Sequence, residues 1–352
     1  MSKTYGVGVI GCGVISPVHF GALAQLPNVR LVATCDVIEE KAKAAAEQHG
    51  AEAWYTDLND LLARDDVDFV HVTTPSSHHH VASIAASEAG KHSFVTKPID
   101  ITLENIDAMI DAAEDNDVVL AAVHQFRAYG SYSALRQAIA EGRLGDILYG
   151  NAFVPWWREQ SYYTDRWQGT WEFDGGGALM NQSVHWVDLL LWMMGDVDNL
   201  AGYAATMNHE METEDIGTVA MQFKSGAHGC LQGTTLTYKG MDTRLEVHGT
   251  KGNVIITADK ITHWDVEGEP SLAEAVVQAE TAASDPRAGL GDAVGAHAVQ
   301  IEAFIAAIEG RGEPLVDAYE ARRAVEFNLA VYESQRTGQK IVFPVGATLG
   351  RF

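Results

Sequence analysis

One hexapeptide limits the fold more than any other part of this chain. Gly11-Cys12-Gly13-Val14-Ile15-Ser16 follows the apolar run Tyr5 to Ile10 and precedes Pro17 to Gln25, which reads as a helix. Glycines at the first and third positions of a strand-to-helix turn have separate physical uses. Gly11 permits the tight turn. Gly13 lets backbone approach a pyrophosphate beside the free N–H groups and positive dipole end of the helix. The third small position is filled by Ser16. Asp36 ends the next β-branched run, Leu31 to Cys35, 20 residues after Ser16. A carboxylate there accepts from both ribose hydroxyls and repels a 2′-phosphate. The pattern predicts a dinucleotide site at Gly11, Gly13, Val14, Ile15 and Asp36, with NAD preferred over NADP.

The residues that follow keep to the same grammar. Strand-like Phe69 to Val72 leads into Thr73-Thr74-Pro75, and Val81 to Ala89 is helical. His92 to Val95 and Val118 to Val123 read as strands either side of a helix from Thr102 to Asn116. Such alternation predicts a parallel, doubly wound Rossmann sheet over residues 1–123. After residue 124 the pattern changes. A helix (Tyr132 to Glu141), a strand (Ile147 to Val154), an aromatic stretch and a long helix from Ala178 lead to a run of strands between Asn199 and Trp264. Turns such as Lys224-Ser225-Gly226 join them. This predicts a second α/β domain, 124–352, with a large, mostly antiparallel open sheet. Residues 268–295, poor in aromatics and rich in Ala, Gly and acid, read as an exposed excursion. Two helices, about 295–310 and 318–337, are expected near the end, the first returning toward the first domain with His297 at its start. A length of 352 residues suits two such domains.

Charge narrows the partners. With 24 Lys and Arg against 48 Asp and Glu, the formal net charge is −24. Such a field repels nucleic-acid backbones and anionic lipid, so neither is an expected partner. The most apolar segment, Ala178 to Met194, is interrupted by Asn181, Gln182, His185 and Asp188 and reads as a buried helix, not a membrane span. The three cysteines, Cys12, Cys35 and Cys230, make neither a disulfide framework nor a CxxC pair. Together with an opening that lacks the apolar length of a secretory signal, this points to a cytoplasmic protein. No metal is expected. His78-His79-His80 are consecutive, so their side chains diverge, and no second cluster accompanies them. His79 reads instead as a helix-start residue beside the dinucleotide.

Two segments carry chemistry. Thr96-Lys97-Pro98 directly follows the fourth strand, which places Lys97 at the carboxyl edge of the sheet where ligands bind in open α/β folds. Gly175-Gly176-Gly177 then precedes Asn181, His185 and Asp188. On an α-helix Asn181 and His185 share a face, and Asp188 is spaced to orient the histidine ring or to cap a neighbouring group. Ahead of the glycines, Trp156-Trp157-Arg158, Tyr162-Tyr163, Arg166-Trp167 and Trp171 interleave flat rings with cations. Rings suit sugar faces, and arginine suits a carboxylate or phosphate. Arg158 and Tyr163 are the expected substrate contacts there.

These residues together resemble the Gfo/Idh/MocA family of sugar and cyclitol oxidoreductases, and the resemblance covers essentially the whole chain. It rests on Gly11-Cys12-Gly13, Thr74-Pro75, Lys97-Pro98, the Gly175-to-Asp188 segment, Pro314-Leu315-Val316-Asp317 and the helix Ala321 to Ser334. It implies catalytic Lys97 and His185, cofactor contacts at Thr74, Pro75, Lys97 and Gln125, and substrate contacts at Lys97, Arg127, Asn181 and His185, with Arg127 reading equally as a structural cation at the domain junction. It also implies homodimers or homotetramers formed through the C-terminal sheet. Two residues depart from the common pattern. Thr96 stands where many members have Glu, and Asn181 where many have Asp. Asn cannot take up a proton, but it can orient a hydroxyl. The Asn-Gln-Ser-x-His form is similar to that of members acting on nucleotide-linked sugar acids.

The expected reaction is hydride transfer between a secondary alcohol of a sugar, sugar derivative or cyclitol and nicotinamide. His185 serves as base, assisted by Asn181, and Lys97 stabilises the developing alkoxide. Two alternatives use the same fold. One is glycoside cleavage through transient ring oxidation with retained NAD. The other is a sugar-sensing regulator without chemistry, which the presence of both Lys97 and His185 disfavours.

Overall fold

The computed structural model describes residues 3–269 and 293–346. Most of the excursion expected at 268–295 lies outside them. The chain forms two compact units, Met1–Gln125 with Asp292–Arg322, and Phe126–Gly291 with Arg323–Phe352. A single cut between 123 and 124 therefore gives way to a discontinuous division, because a later helix returns to the first unit.

In the first unit six parallel strands are ordered β3-β2-β1-β4-β5-β6. They are β1 (Tyr5–Ile10), β2 (Val29–Cys35), β3 (Ala53–Tyr55), β4 (Phe69–Val72), β5 (His92–Val95) and β6 (Leu120–Ala122). The order reverses at β1 and β4, the switch point at which open α/β sheets bind ligands. The connecting helices are α1 (Ser16–Ala24), α2 (Glu39–His49), α3 (Leu58–Leu62), α4 (His79–Glu88) and α5 (Leu103–Asp115). Local chemistry sets their ends. Pro17 opens α1, Thr102 caps α5 by accepting from the Asn105 amide, and Gly50 closes α2 in the left-handed conformation. The returning helix, Ala293–Ile308, packs on α1. Its Ala298, Ile301, Phe304 and Ile305 join Phe20, Phe69 and Phe94 in one buried cluster. Val294 lies so near Gly21 that an added Cβ would come within 3.1 Å of it.

The second unit is built on an eight-stranded sheet. It contains β7 (Ile147–Pro155), β8 (Val197–Ala205), β9 (Ile216–Phe223), β10 (His228–Thr234), β11 (Arg244–Gly249), β12 (Gly252–Thr257), β13 (Lys260–Val266) and β14 (Ile341–Val342). Its order is β13-β12-β11-β7-β10-β9-β8-β14, and every pairing is antiparallel except β7 with β10. Alternate residues such as Ala152, Val154, Val219, Leu231, Leu245 and Val247 are buried on one face. The other face presents Tyr149 and Tyr203, both exposed. This one-sided pattern is what an open antiparallel sheet requires. Helix α6 (Gly130–Ala140) and helix α7 (Val184–Met194) belong to this unit. In chain order the two late helices are α8 (Ala293–Ile308) and α9 (Ala318–Thr337). The division between units falls within α9.

Candidate functional site

In the first unit the expected cofactor residues gather at the carboxyl ends of β1, β2, β4, β5 and β6. Gly11 has φ +94°, and an added Cβ would lie 2.6 Å from the backbone of Thr73 and Thr74. Glycine is needed there both for conformation and for the close approach of the next loop. At Gly13 an added Cβ meets nothing within 4 Å, so the backbone is open to a ligand. Val14 is 87% exposed beside it. Ser16 closes the loop by donating from Oγ to the Gly13 carbonyl at 2.8 Å.

Asp36 lies against this loop. One oxygen accepts from the Cys12 amide at 2.8 Å and the other from the Ile38 amide at 2.9 Å. Each oxygen retains a second lone pair for a ribose hydroxyl. An open glycine cradle, an exposed Val14 and an anchored carboxylate fit a dinucleotide. Burial, assisted by Asp36 and Cys35, pushes the Cys12 thiol up to about 12, so it is not a ready nucleophile.

Thr74, Pro75, Lys97 and Gln125 are half-buried at the same edge. His79 begins α4, fully buried. Its neighbours diverge: His78 meets Ser77, and His80 lies 3.0 Å from Asp100. Among the described residues no three His, Cys, Asp or Glu side chains are grouped to hold a metal ion. His297 packs edge-on to His19, with ring centres 5.0 Å apart, and His19 meets His71 at 3.0 Å. Burial holds His19 and His71 well below the ordinary imidazole range, so both are neutral.

In the second unit the long helix expected from Ala178 starts differently. Ala178–Ser183 is a π-helical turn, and the α-helix begins at Val184. The wide turn has visible supports. Ser183 Oγ donates to the Ala178 carbonyl at 2.7 Å, and the Glu214 carboxylate accepts from the amides of Gly177 and Leu179 at 2.9 and 2.8 Å. A shared face for Asn181 and His185 therefore no longer follows from α-helical spacing, since only His185 lies in the α-helix. Both side chains are buried, and π turns recur at functional sites. The His185 ring meets Phe126 edge-on at 5.1 Å.

Asn181 donates through Nδ2 to the buried Asp174 carboxylate at 2.6 Å. A carboxylate only accepts, so this contact fixes which end of the amide is nitrogen. The second Asp174 oxygen accepts from the Gly169 amide at 2.9 Å. Asp188, expected beside the His185 ring or a neighbouring group, has Arg127 as a partner. It takes two hydrogen bonds from Arg127, at 2.9 and 2.6 Å, deep in this unit. Arg127 also lies over the Trp192 ring at 5.0 Å. Its guanidinium is thus engaged in a buried, bidentate pair.

Arg158 is held between the Trp156 and Tyr162 rings at 5.3 and 5.0 Å, and it donates to the Trp157 carbonyl. Tyr163 directs its hydroxyl to Thr235 Oγ1 at 3.0 Å, and burial raises its pKa to about 12. Asp174 and Glu214, which hold Asn181 and the π turn, are the residues that sequence reasoning missed. Asp174 directly precedes the glycine triplet. Glu214 lies in the acidic run Glu210 to Asp215, which looks like a solvated surface. Yet Glu214 is fully buried, and burial raises its carboxyl to about 7 although Leu179, Gly177 and Tyr332 donate to it.

Comparison with known proteins assigns the class. Residues 5–124 match the oxidoreductase family with an NAD-binding Rossmann fold, and 132–255 match the GFO/IDH/MocA C-terminal domain. The chain belongs to the Gfo/Idh/MocA family of NAD-binding oxidoreductases.

Among solved structures, it is similar to the WlbA dehydrogenase from Chromobacterium violaceum in complex with NADH and UDP-GlcNAcA. Identity is 35%, TM-score 0.89, and 98% of each chain is covered. The corresponding Bordetella pertussis structure is 32% identical with TM-score 0.87, covering 98% of this chain and 100% of that one. Among curated relatives, 1,5-anhydro-D-fructose reductase of Ensifer adhaerens is 28% identical, over 96% of this chain and 98% of its own.

Proposed function

We propose that this protein is an NAD-dependent dehydrogenase that oxidises a secondary alcohol on a nucleotide-linked sugar acid. The observation that carries the substrate class is the full-length similarity, at 35% identity, to a dehydrogenase seen with NADH and UDP-GlcNAcA. The local chemistry supports it. Asn181 stands where a carboxylate is common, and Asp174 orients its amide. Arg158, clasped by two rings in a protein of net charge −24, supplies the local cation an anionic substrate needs.

Bound at Gly11, Gly13 and Asp36, NAD supplies the hydride acceptor. The chain's own residues do the rest. His185 takes the proton of the hydroxyl, an imidazole being the side chain best matched to neutral pH. Lys97 donates to the same oxygen as negative charge develops on it. Asn181 orients the hydroxyl, and Asp36 disfavours a cofactor bearing a 2′-phosphate. Arg127 enters the reading as the structural partner of Asp188. The open sheet face with Tyr149 and Tyr203 is proposed as a contact between copies, checked by sedimentation of the wild type and a Tyr203→Lys variant.

The deciding assay measures nicotinamide reduction with UDP-GlcNAcA, neutral UDP-GlcNAc, myo-inositol and a 1,5-anhydro sugar, with NAD and NADP in parallel. The reading expects the acidic nucleotide sugar with NAD to give the highest kcat/KM. A higher value for inositol or the neutral nucleotide sugar overturns the substrate class.

A further inference from the structure

We infer that His79 is a buried imidazolium that positions Lys97 by holding the loop after β5 to the loop after β4. The inference rests on the reading of Lys97 as a catalytic residue. His79 opens α4 with its side chain fully buried. Its Nδ1 lies 2.9 Å from the Pro98 carbonyl oxygen, and its Nε2 lies 2.9 Å from the Thr74 carbonyl oxygen. Carbonyl oxygens only accept. A neutral imidazole carries one N–H, so its second nitrogen would set a lone pair against a carbonyl oxygen at hydrogen-bond distance. Only the form with both nitrogens protonated makes both contacts attractive, and charge-assisted hydrogen bonds are the stronger kind.

The counter-charge lies on the same edge. The Asp100 side chain is inaccessible to solvent and follows Pro98 by two residues. It accepts from the Ile101 amide at 2.7 Å, Asn105 Nδ2 at 2.9 Å and the His80 amide at 3.1 Å, and it meets His80 Nδ1 at 3.0 Å. Burial is the largest single influence and by itself holds His79 below the ordinary imidazole range, against Asp100 and the carbonyls of Thr74, Pro98 and Ile99, which favour the cation. His19 of α1 is electrostatically coupled to His79, and burial keeps His19 neutral. With two carbonyls in line with the two ring nitrogens, the geometry decides for the charged form.

The consequence is positional. Pro98 follows Lys97 directly, and the backbone of Thr73 and Thr74 sits against Gly11. His79 therefore links the glycine loop, through Thr74, to the residue next to Lys97. Loops at strand ends are otherwise the most mobile part of an open α/β edge, and small displacements of a reacting group are costly in rate.

The test uses the NADH-bound enzyme with 15N-labelled histidine, the His79 signal being assigned by its loss in a His79→Asn variant. Two protonated ring nitrogens at neutral pH are expected. A neutral imidazole signature overturns the inference. Kinetics gives a second readout. An Asn amide nitrogen reaches the Nδ1 position and keeps the bond to Pro98. A Gln amide nitrogen reaches the Nε2 position and keeps only the bond to Thr74. His79→Asn should retain kcat within about threefold, whereas His79→Gln should lose about tenfold in kcat with the alcohol KM little changed. Equal losses in the two variants overturn the positioning role. Full turnover in Lys97→Ala removes the reading of Lys97 but leaves the 15N signature in place, so the two failures are distinguishable.

Discussion

The glycine loop at 11–16 and the segment at 174–188 solve the same problem, holding polar groups at fixed places, with different materials. The loop uses backbone. Its requirements are a positive φ at Gly11, open space at Gly13 and one anchored carboxylate at Asp36. The later segment uses side chains held by other side chains. Asn181 depends on Asp174, the π turn on Glu214 and Ser183, and Asp188 on Arg127. A backbone site is announced by a few adjacent glycines and one carboxylate at a fixed spacing. A side-chain site is set by partners that lie up to dozens of positions away.

The largest expected effects fall on the two proposed catalytic residues, Lys97 beside the first region and His185 within the second. Lys97→Ala and His185→Ala should each lower kcat by about 10²–10⁴-fold, the usual share of proton transfer and charge stabilisation. NADH binding, followed by fluorescence, should change little. Wild-type turnover in both would end the catalytic assignment. Next comes Asn181→Asp. It restores the residue common in the family but sets a second carboxylate against Asp174 in a buried place. Leaving a buried charge uncompensated costs about 3–5 kcal/mol, so calorimetry should show a markedly lower Tm. An unchanged Tm would mean that the side-chain site is less interdependent than argued.

The pH dependence of stability separates the regions further. Glu214 has its carboxyl raised to about 7 by burial, against an ordinary value of 4.5. The folded state then holds a proton that the unfolded chain has released. Its contribution is full below about 4.5 and is lost as pH rises through about 7, by about 3 kcal/mol. Denaturant titrations should show wild type losing more stability than Glu214→Gln across that window. Parallel curves would remove Glu214 from the account.

The glycine loop predicts two smaller effects. Asp36→Ala should weaken NAD about 10- to 100-fold, as for a charged hydrogen-bonding group, and NADP less. Calorimetric binding of both cofactors checks this, and an unchanged ratio would remove the basis of the preference. Gly11→Ala should cost about 1–3 kcal/mol from backbone strain alone, with NAD binding lost as Thr73 and Thr74 are displaced. A tolerated alanine there would break the view of the loop as a backbone device.

Much of the architecture was legible in advance for the same reason. Alternating apolar runs and helices announce a parallel sheet, and hairpin turns after residue 199 announce an antiparallel one, because those periodicities are local. Thr102, Pro17 and Gly50 mark helix ends through contacts within a few residues. Spacing along the helix leaves Asp188 open to His185 or to a neighbouring group, and it cannot show Arg127, the cation that tertiary packing brings to it. Glu214 was hidden in an acidic run because charge patterning cannot distinguish a solvated carboxylate from one that caps a buried turn. The return of α8 to the first unit was anticipated, although its full packing against α1 was not.

The sequence by itself determined the dinucleotide loop and the class of both sheets, and it nominated Lys97 and His185 as the reactive side chains. Each of these depends on residue type and short-range spacing. The tertiary structure alone decided that Ala178–Ser183 winds as a π turn, that Asp174 orients Asn181, that Arg127 belongs to Asp188 and that two carbonyls face His79. Each of these requires groups that no regular helix or strand spacing pairs to meet in a buried place, where an unpaired polar group is costly and partners are therefore chosen by proximity.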